Sequence, residues 1–206
     1  MIAIVDYGAG NIFSVKNALD YLGLDCKLTS DKDEIKAADA VILPGVGAFP
    51  AAMAMLEKSG LIDTIKEEAA KKPLLGICLG MQMLFDKSYE DGDWEGLGFI
   101  PGEVVRFGKD SDPSWNEENK IPHMGWNSIH FQNNGRLFAN LPQDSYDYFV
   151  HSYYLQAEDE SIVKATTDYS TCIHASVEKD NVFACQFHPE KSSDVGLTIL
   201  KNFCEI

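Results

Sequence analysis

The chain opens on an unbroken apolar run, Ile2-Ala3-Ile4-Val5, which breaks at Asp6-Tyr7-Gly8-Ala9-Gly10 and gives way to Ile12, Val15, Leu19 and Leu22 at helical spacing up to Gly23. A short apolar run bounded by turn residues reads as a buried strand, and recurrence every three to four positions reads as a helix with one apolar face. The alternation repeats with a strand around Cys26 and Leu28, a polar helix starting at Ser30-Asp31, and the run Ala40-Val41-Ile42-Leu43. Strands that are apolar on both faces, alternating with helices, predict a mostly parallel sheet with flanking helices. Helices near 50–58 and over 61–71 then lead to a buried strand at 73–77, and the pattern predicts a helix over 79–85.

Beyond Phe85 the texture changes. The stretches 88–98 and 109–119 are acidic and rich in Gly or Asn, as loops are, and the segments between them are short and β-like. Strands are expected at 104–107, 126–131, 146–151, 162–166, 173–177 and 182–186, forming an antiparallel β region in the C-terminal half, and a closing helix at 195–203. With no internal repeat, low-complexity tract or linker, the expectation is a single α/β domain over 1–206.

Charge narrows the partners. Lys and Arg number 17 against 32 Asp and Glu, a formal charge of -15, so nucleic acid and anionic membranes would bind against the protein's own field. The start carries no basic n-region or small-residue cleavage site, so no signal peptide is expected. The longest nearly apolar stretch, 74–85, contains Gln82 and falls short of the roughly 20 residues a membrane helix needs. Cys26, Cys78, Cys172, Cys185 and Cys204 are odd in number, scattered and never in a C-x-x-C pair, which argues for a reducing cytoplasm rather than a disulfide or zinc framework.

Cys78 is different from the other four. Gly76-Ile77-Cys78-Leu79-Gly80 has the G-x-nucleophile-x-G form at a predicted strand-to-helix junction, where an elbow lifts the nucleophile clear of the sheet over a helix N-terminus that favours a thiolate. An isolated cysteine in an apolar run is more often inert core; the flanking glycines favour the nucleophile. Gln82, one helical turn on, faces the same side as Cys78. Pro44-Gly45-Val46-Gly47 also follows a strand and ends at the same sheet edge, so backbone N–H groups of Val46 and Gly47 could join that of Leu79 as an oxyanion hole. Near the C-terminus, Pro189 in His188-Pro189-Glu190 turns the chain so that a carboxylate can orient an imidazole. His123, His130, His151 and His174 show no metal spacing, receive no role, and no metal or other cofactor is expected.

Taken together, the Pro44 to Gly47, Gly76 to Gln82 and His188 to Glu190 motifs resemble those of the class I (triad) glutamine amidotransferases, in order and spacing, across nearly the whole chain. The resemblance implies hydrolysis of glutamine to glutamate and ammonia by a Cys78-His188-Glu190 triad. It also implies glutamine binding by Gly45, Gln82, Glu90, Ser152 and Tyr153. Within the family, Asp6 to Ile12, Ile121 to Asn127, Phe149 to Tyr153 and Lys191-Ser192 look like the glutaminase subunits of imidazole glycerol phosphate synthases. That likeness implies a cyclase partner, HisF, a (β/α)8 barrel taking the ammonia for histidine biosynthesis, with Asn11, Trp126, Tyr148 and Lys191 near the interface and the ammonia exit. A glutaminase serving anthranilate, guanylate or carbamoyl phosphate synthesis, or a regulatory subunit without turnover, is the alternative.

Overall fold

The computed structural model describes residues 1–206. Its first half follows the predicted alternation: β1 (Ile2–Val5), α1 (Ile12–Tyr21), β2 (Cys26–Thr29), α2 (Lys32–Ala37), β3 (Ala40–Gly45), α3 (Phe49–Ser59), α4 (Ile62–Ala69), β4 (Leu74–Cys78) and α5 (Leu79–Met83). Local chemistry sets the boundaries. Asp31 caps α2 by accepting from the N–H groups of Asp33 and Glu34, and Gly60 ends α3 in the left-handed conformation at φ 69°.

The second half contributes β5 (Phe85–Ser88), β6 (Trp94–Glu95), β7 (Ile100–Arg106), β8 (His123–Phe131), β9 (Ser145–His151), β10 (Tyr153–Ala157), β11 (Val163–Asp168), β12 (Cys172–Lys179), β13 (Val182–Cys185) and α6 (Ser193–Cys204), with a 3-10 turn at Pro189–Lys191 before α6. Three strands were not expected. The helix predicted over 79–85 stops at Met83, because the chain beyond it is captured by the entry to β7: Leu97 N–H donates to Met83 O, and Phe99 and Ile100 N–H donate to Leu84 O. Phe85 therefore begins β5, and Trp94 to Glu95 pairs with it inside the segment read as loop. β10 escaped notice because a single residue, Ser152, separates it from β9 while the chain passes from one sheet to another.

The large sheet has nine strands in the order β2-β1-β3-β4-β13-β12-β11-β8-β9, and the small one has four in the order β10-β7-β5-β6. β2, β1, β3, β4 and β13 are parallel, and the antiparallel half begins at β12. β13, expected in the antiparallel region, is thus the last parallel strand, seated beside the Cys78 strand. Alternate residues feed two cores: Ala3, Val5, Val41 and Leu43 pack under α2 to α5 and the small sheet, while Ile2, Ile4, Ala40 and Ile42 pack under α1 and α6. No helix is long and apolar enough to cross a membrane, and all five cysteines are free.

Three glycines pack closely at the carboxyl ends of β3 and β4. A Cβ on Gly80 would lie 1.9 Å from Leu43 O, one on Gly45 2.6 Å from Gly80 N, and one on Gly76 2.7 Å from the Leu84 side chain. Backbone there cannot yield as a side chain can, so Gly80→Ala is expected to lower stability by about 3 kcal/mol or more, read as a shift in the urea midpoint at unchanged slope.

Candidate active site

Cys78 closes β4 and caps α5 with φ 54° and ψ -110°, a conformation that non-glycine residues rarely adopt. The turn at the elbow is made by the nucleophile position itself. Gly76 and Gly80 have ordinary φ values and serve by letting α5 lie against β3 and β4, as the clashes of their would-be Cβ atoms show. Expelled from both neighbours, the Cys78 side chain projects into a cleft of about 280 Å³ at the carboxyl ends of the strands.

His188 reaches this cleft from the end of β13, with Glu190 behind it. The His188 N–H donates to Tyr148 O at 2.9 Å, and the Ser192 hydroxyl donates to His188 O at 2.7 Å while accepting from Tyr148 N–H at 3.0 Å. These bonds tie the turn to β9, the far edge strand of the large sheet, so the antiparallel half curls back over the nucleophile. α6 seals the turn from behind: a Cβ on Gly196 would lie 1.9 Å from Pro189 O. His188 Nδ1 is 2.8 Å from Glu190 Oε1, with both side chains almost wholly buried, and Nε2 is left without a partner. Burial drives an imidazolium down, but the Cys78 sulfur and the Glu190 carboxylate beside it win, and His188 is raised to about 9.

Val46, Gly47, Cys78, Leu79, Gln82, Glu90, Ser152, Tyr153, His188 and Lys191 all line the cleft. Gly47 has φ 99° and open space around it, and Val46 is exposed. Gly45 lies beneath, packed against Gly80. Asn11, half-buried, donates from Nδ2 to Glu190 Oε1 at 3.4 Å. Glu90 Oε2 accepts from Phe49 N–H at 2.7 Å, so one oxygen is committed to the start of α3; burial raises this carboxyl. Trp126 and Tyr148 stand outside, edge to face at 6.2 Å, with Lys191 Nζ 5.8 Å from the Tyr148 ring centre.

Residues that had received no role complete the wall. His151 lines the cleft with Pro122 and Val150, and lies 3.0 Å from His123. Burial lowers the two imidazoles, to about 3 and about 4, so both are neutral. Gln186, fully buried, sits 3.7 Å from Cys78 Sγ. Its signal was present: a lone amide ending the apolar run Val182 to Cys185, on the same side of the strand as His188. For His123 and His151 no signal existed, since only β8–β9 pairing makes them opposite neighbours.

The sequence profile of the class-I glutamine amidotransferases matches residues 3–206. This chain belongs to that family. It is 51% identical to the imidazole glycerol phosphate synthase subunit HisH of Caldanaerobacter subterraneus subsp. tengcongensis, over 100% of this chain and 98% of the relative. The HisH subunits of Moorella thermoacetica and Bacillus cereus are each 50% identical, covering 100% and 98% of this chain and 94% and 93% of theirs. By that kinship the chain is a glutaminase subunit of the HisH group, one part of a synthase that has a further subunit. Among solved structures, a glutamine amidotransferase aligns at TM-score 0.74 with 20% identity, over 99% of this chain and 100% of the other. PurLQS from Thermotoga maritima aligns at TM-score 0.74 with 19% identity, covering 99% and 97%. At that identity the likeness is one of fold.

Next to its triad this amidotransferase buries an unpaired carboxyl. Asp147 on β9 is inaccessible and neither oxygen has a partner, because the neighbouring Ser192 hydroxyl donates to His188 O instead. Burial raises Asp147 to about 7. A folded pKa above the unfolded one makes a stabilising contribution that is full below the unfolded carboxylate range and is lost as pH rises through about 7. Asp147→Asn should therefore raise the melting temperature by several degrees at pH 8 and by clearly less at pH 5, measured by thermal denaturation at both pH values. An equal effect at both would show that ionisation of Asp147 is not what costs stability.

Proposed function

We propose that this chain hydrolyses the side-chain amide of L-glutamine at Cys78 and passes the ammonia to a cyclase subunit of the HisF type, a (β/α)8 barrel, in cytoplasmic imidazole glycerol phosphate synthase. The observation that carries the reading is the elbow itself. Cys78, forced into positive φ, faces a cleft whose wall holds a buried, Glu190-paired His188 with its Nε2 free, and whose rim is a glycine loop.

The Cys78 thiolate attacks the glutamine Cδ, and the carbonyl oxygen becomes an oxyanion held by the N–H of Leu79 and by an N–H of the Val46-Gly47 segment. The imidazolium of His188 gives its Nε2 proton to the departing amide nitrogen, so ammonia leaves and a glutamyl thioester forms. Neutral His188, held in one tautomer by Glu190, then takes a proton from water as the oxygen attacks the thioester. Glutamate departs and the thiolate–imidazolium pair returns. Glutamine and water enter, glutamate and ammonia leave, and the triad balances every proton. Gln82, Glu90, Ser152 and Tyr153 hold the substrate in this scheme.

The exit is supported by the outer face of β8 and β9. Register pairs Met124 with Val150 and Trp126 with Tyr148, so exposed Met124, Trp126 and Tyr146 form one apolar face with Val150, which also lines the cleft. An aromatic face with one cation, Lys191, at its edge suits a protein partner that shields ammonia from water. Asn11, half-buried at the same end of the sheet, steadies Glu190 while keeping a place near the partner interface in this scheme.

With its partner bound, Cys78→Ala should lose glutamine-dependent product formation by about 10³-fold or more while keeping ammonia-dependent formation, because the acceptor sits on the other chain. Steady-state assays with each nitrogen source check it. Loss of both activities in a folded, associated variant would overturn the division of labour.

A further inference from the structure

We propose that Gln186 is a positioning residue of this glutaminase, holding the Cys78 sulfur as an N–H donor whose direction is set, through Gln82, by the Tyr153 carbonyl. The proposal rests on the glutaminase reading above. Gln186 follows β13 directly, and its backbone N–H donates to Ala175 O at 2.9 Å, so strand pairing fixes where its side chain begins. Alternation with Ala184 and His188 then sends the carboxamide to the α5 side of the sheet, beside the nucleophile.

The direction of that carboxamide is decided by a backbone carbonyl. Tyr153 O can only accept, so the Gln82 atom 3.1 Å away is Nε2, and the Gln186 atom 3.0 Å from the same Nε2 is Oε1. Gln186 Nε2 is thereby turned toward Cys78 Sγ at 3.7 Å, an N–H···S distance. The histidines converge on the same carbonyl from the other side. His151 donates from Nδ1 to Tyr153 O at 2.8 Å, which makes its Nε2 the acceptor for His123 Nδ1–H at 3.0 Å, and Asn127 Nδ2–H occupies His123 Nε2 at 3.3 Å. Flipping Gln186 would set an oxygen against the sulfur and N–H against N–H at Gln82.

A donor so fixed favours the charged sulfur over the neutral thiol, as a hydrogen bond to an anion is stronger than one to a neutral group. Around Sγ the titratable groups are His188 with Glu190 behind it, Tyr7 below β3, Cys185 on β13, and His151, Glu90 and Tyr153 in the cleft wall, with the Lys191 ammonium at its rim. Burial, reinforced by the nearby sulfur, keeps the Tyr7 phenol neutral; burial, reinforced by the Glu190 and Asp147 carboxylates and then by that sulfur, keeps the Cys185 thiol neutral; and burial does the same for His151. Gln186 itself does not titrate. It can support the thiolate at any pH without competing with His188 for a proton.

The test compares the chain bound to its cyclase partner as wild type, Gln186→Leu and Gln186→Glu. Leucine removes the donor, while glutamate keeps the size and the acceptor for Gln82 and sets a carboxylate against the sulfur. Three readouts are needed: iodoacetamide alkylation of Cys78 against pH by peptide mapping, kcat and KM for glutamine, and ammonia-dependent product formation as a control for folding and assembly. The expected result at pH 7 is alkylation slowed about tenfold in Gln186→Leu and more in Gln186→Glu, with the profile moved up by about one pH unit. Glutaminase kcat should fall by a similar factor while KM stays within about twofold and the ammonia-dependent rate is unchanged. Unshifted alkylation profiles in both variants, or a raised KM at full kcat, would overturn the proposal. If Gln186→Leu does not fold, Gln186→Glu decides alone by its alkylation profile, and failure of both to fold would make Gln186 a packing residue and overturn it too. A wild-type complex without glutaminase activity would instead sink the glutaminase reading, whatever the profiles.

Discussion

The contact between Gly80 and the Leu43 carbonyl brings α5 so close to the ends of β3 and β4 that no side chain fits between them. Everything reactive in this molecule follows from that approach. With the helix pressed onto the strands, the single residue joining β4 to α5 must reverse direction within its own dihedrals, and Cys78 takes a conformation that costs on the order of 1–3 kcal/mol. The two apolar cores on either side of the parallel strands hold it there. Strain of this kind persists only where surrounding packing over-determines it, and the result is a sulfur standing clear of the backbone at a sheet edge.

Around that sulfur, buried polar groups fall into two sets. Gln82, Gln186, His123 and His151 are satisfied by one another and by backbone, in a line whose donor and acceptor directions follow from the Tyr153 carbonyl. His188 Nε2 and Glu190 Oε2 have no partner. The satisfied set is neutral, while these two unsatisfied atoms belong to the triad, where substrate, water and moving protons supply the missing partners; the unpaired Asp147 carboxyl lies outside both sets. Because His188 is raised to about 9 and the other two imidazoles are lowered, one histidine of the three carries the charge near neutrality. Environment, more than residue type, separates the proton carrier from its neighbours.

The same β8–β9 ribbon has two unlike faces. Inward it supplies His123, Phe149 and His151 to the wall behind the cleft; outward it shows Met124, Trp126 and Tyr146. Period-two alternation therefore links the reactive centre to a docking face through one ribbon two strands wide. Val150, on the outward register yet lining the cleft, is where the two faces meet.

By itself the sequence determined four of the five parallel strands and the helices between them, since buried strands and amphipathic helices are written in local hydrophobic periodicity, and it marked Cys78, His188 and Glu190 by motifs whose glycines and proline act over one or two residues; the parallel pairing of β13 with β4 it did not show. It misplaced the end of α5 and overlooked β5, β6 and β10, because an apolar run such as 74–85 looks alike as strand or helix, and capture of its end by β7 is a contact between segments. Tertiary structure alone decided that β9 curls back over the nucleophile, that Asn11 leans on Glu190, that His151 meets His123, and that Gln186 faces the sulfur. Those relations join residues tens of positions apart, and hydrogen-bond direction and burial exist only once the chain has folded and removed water.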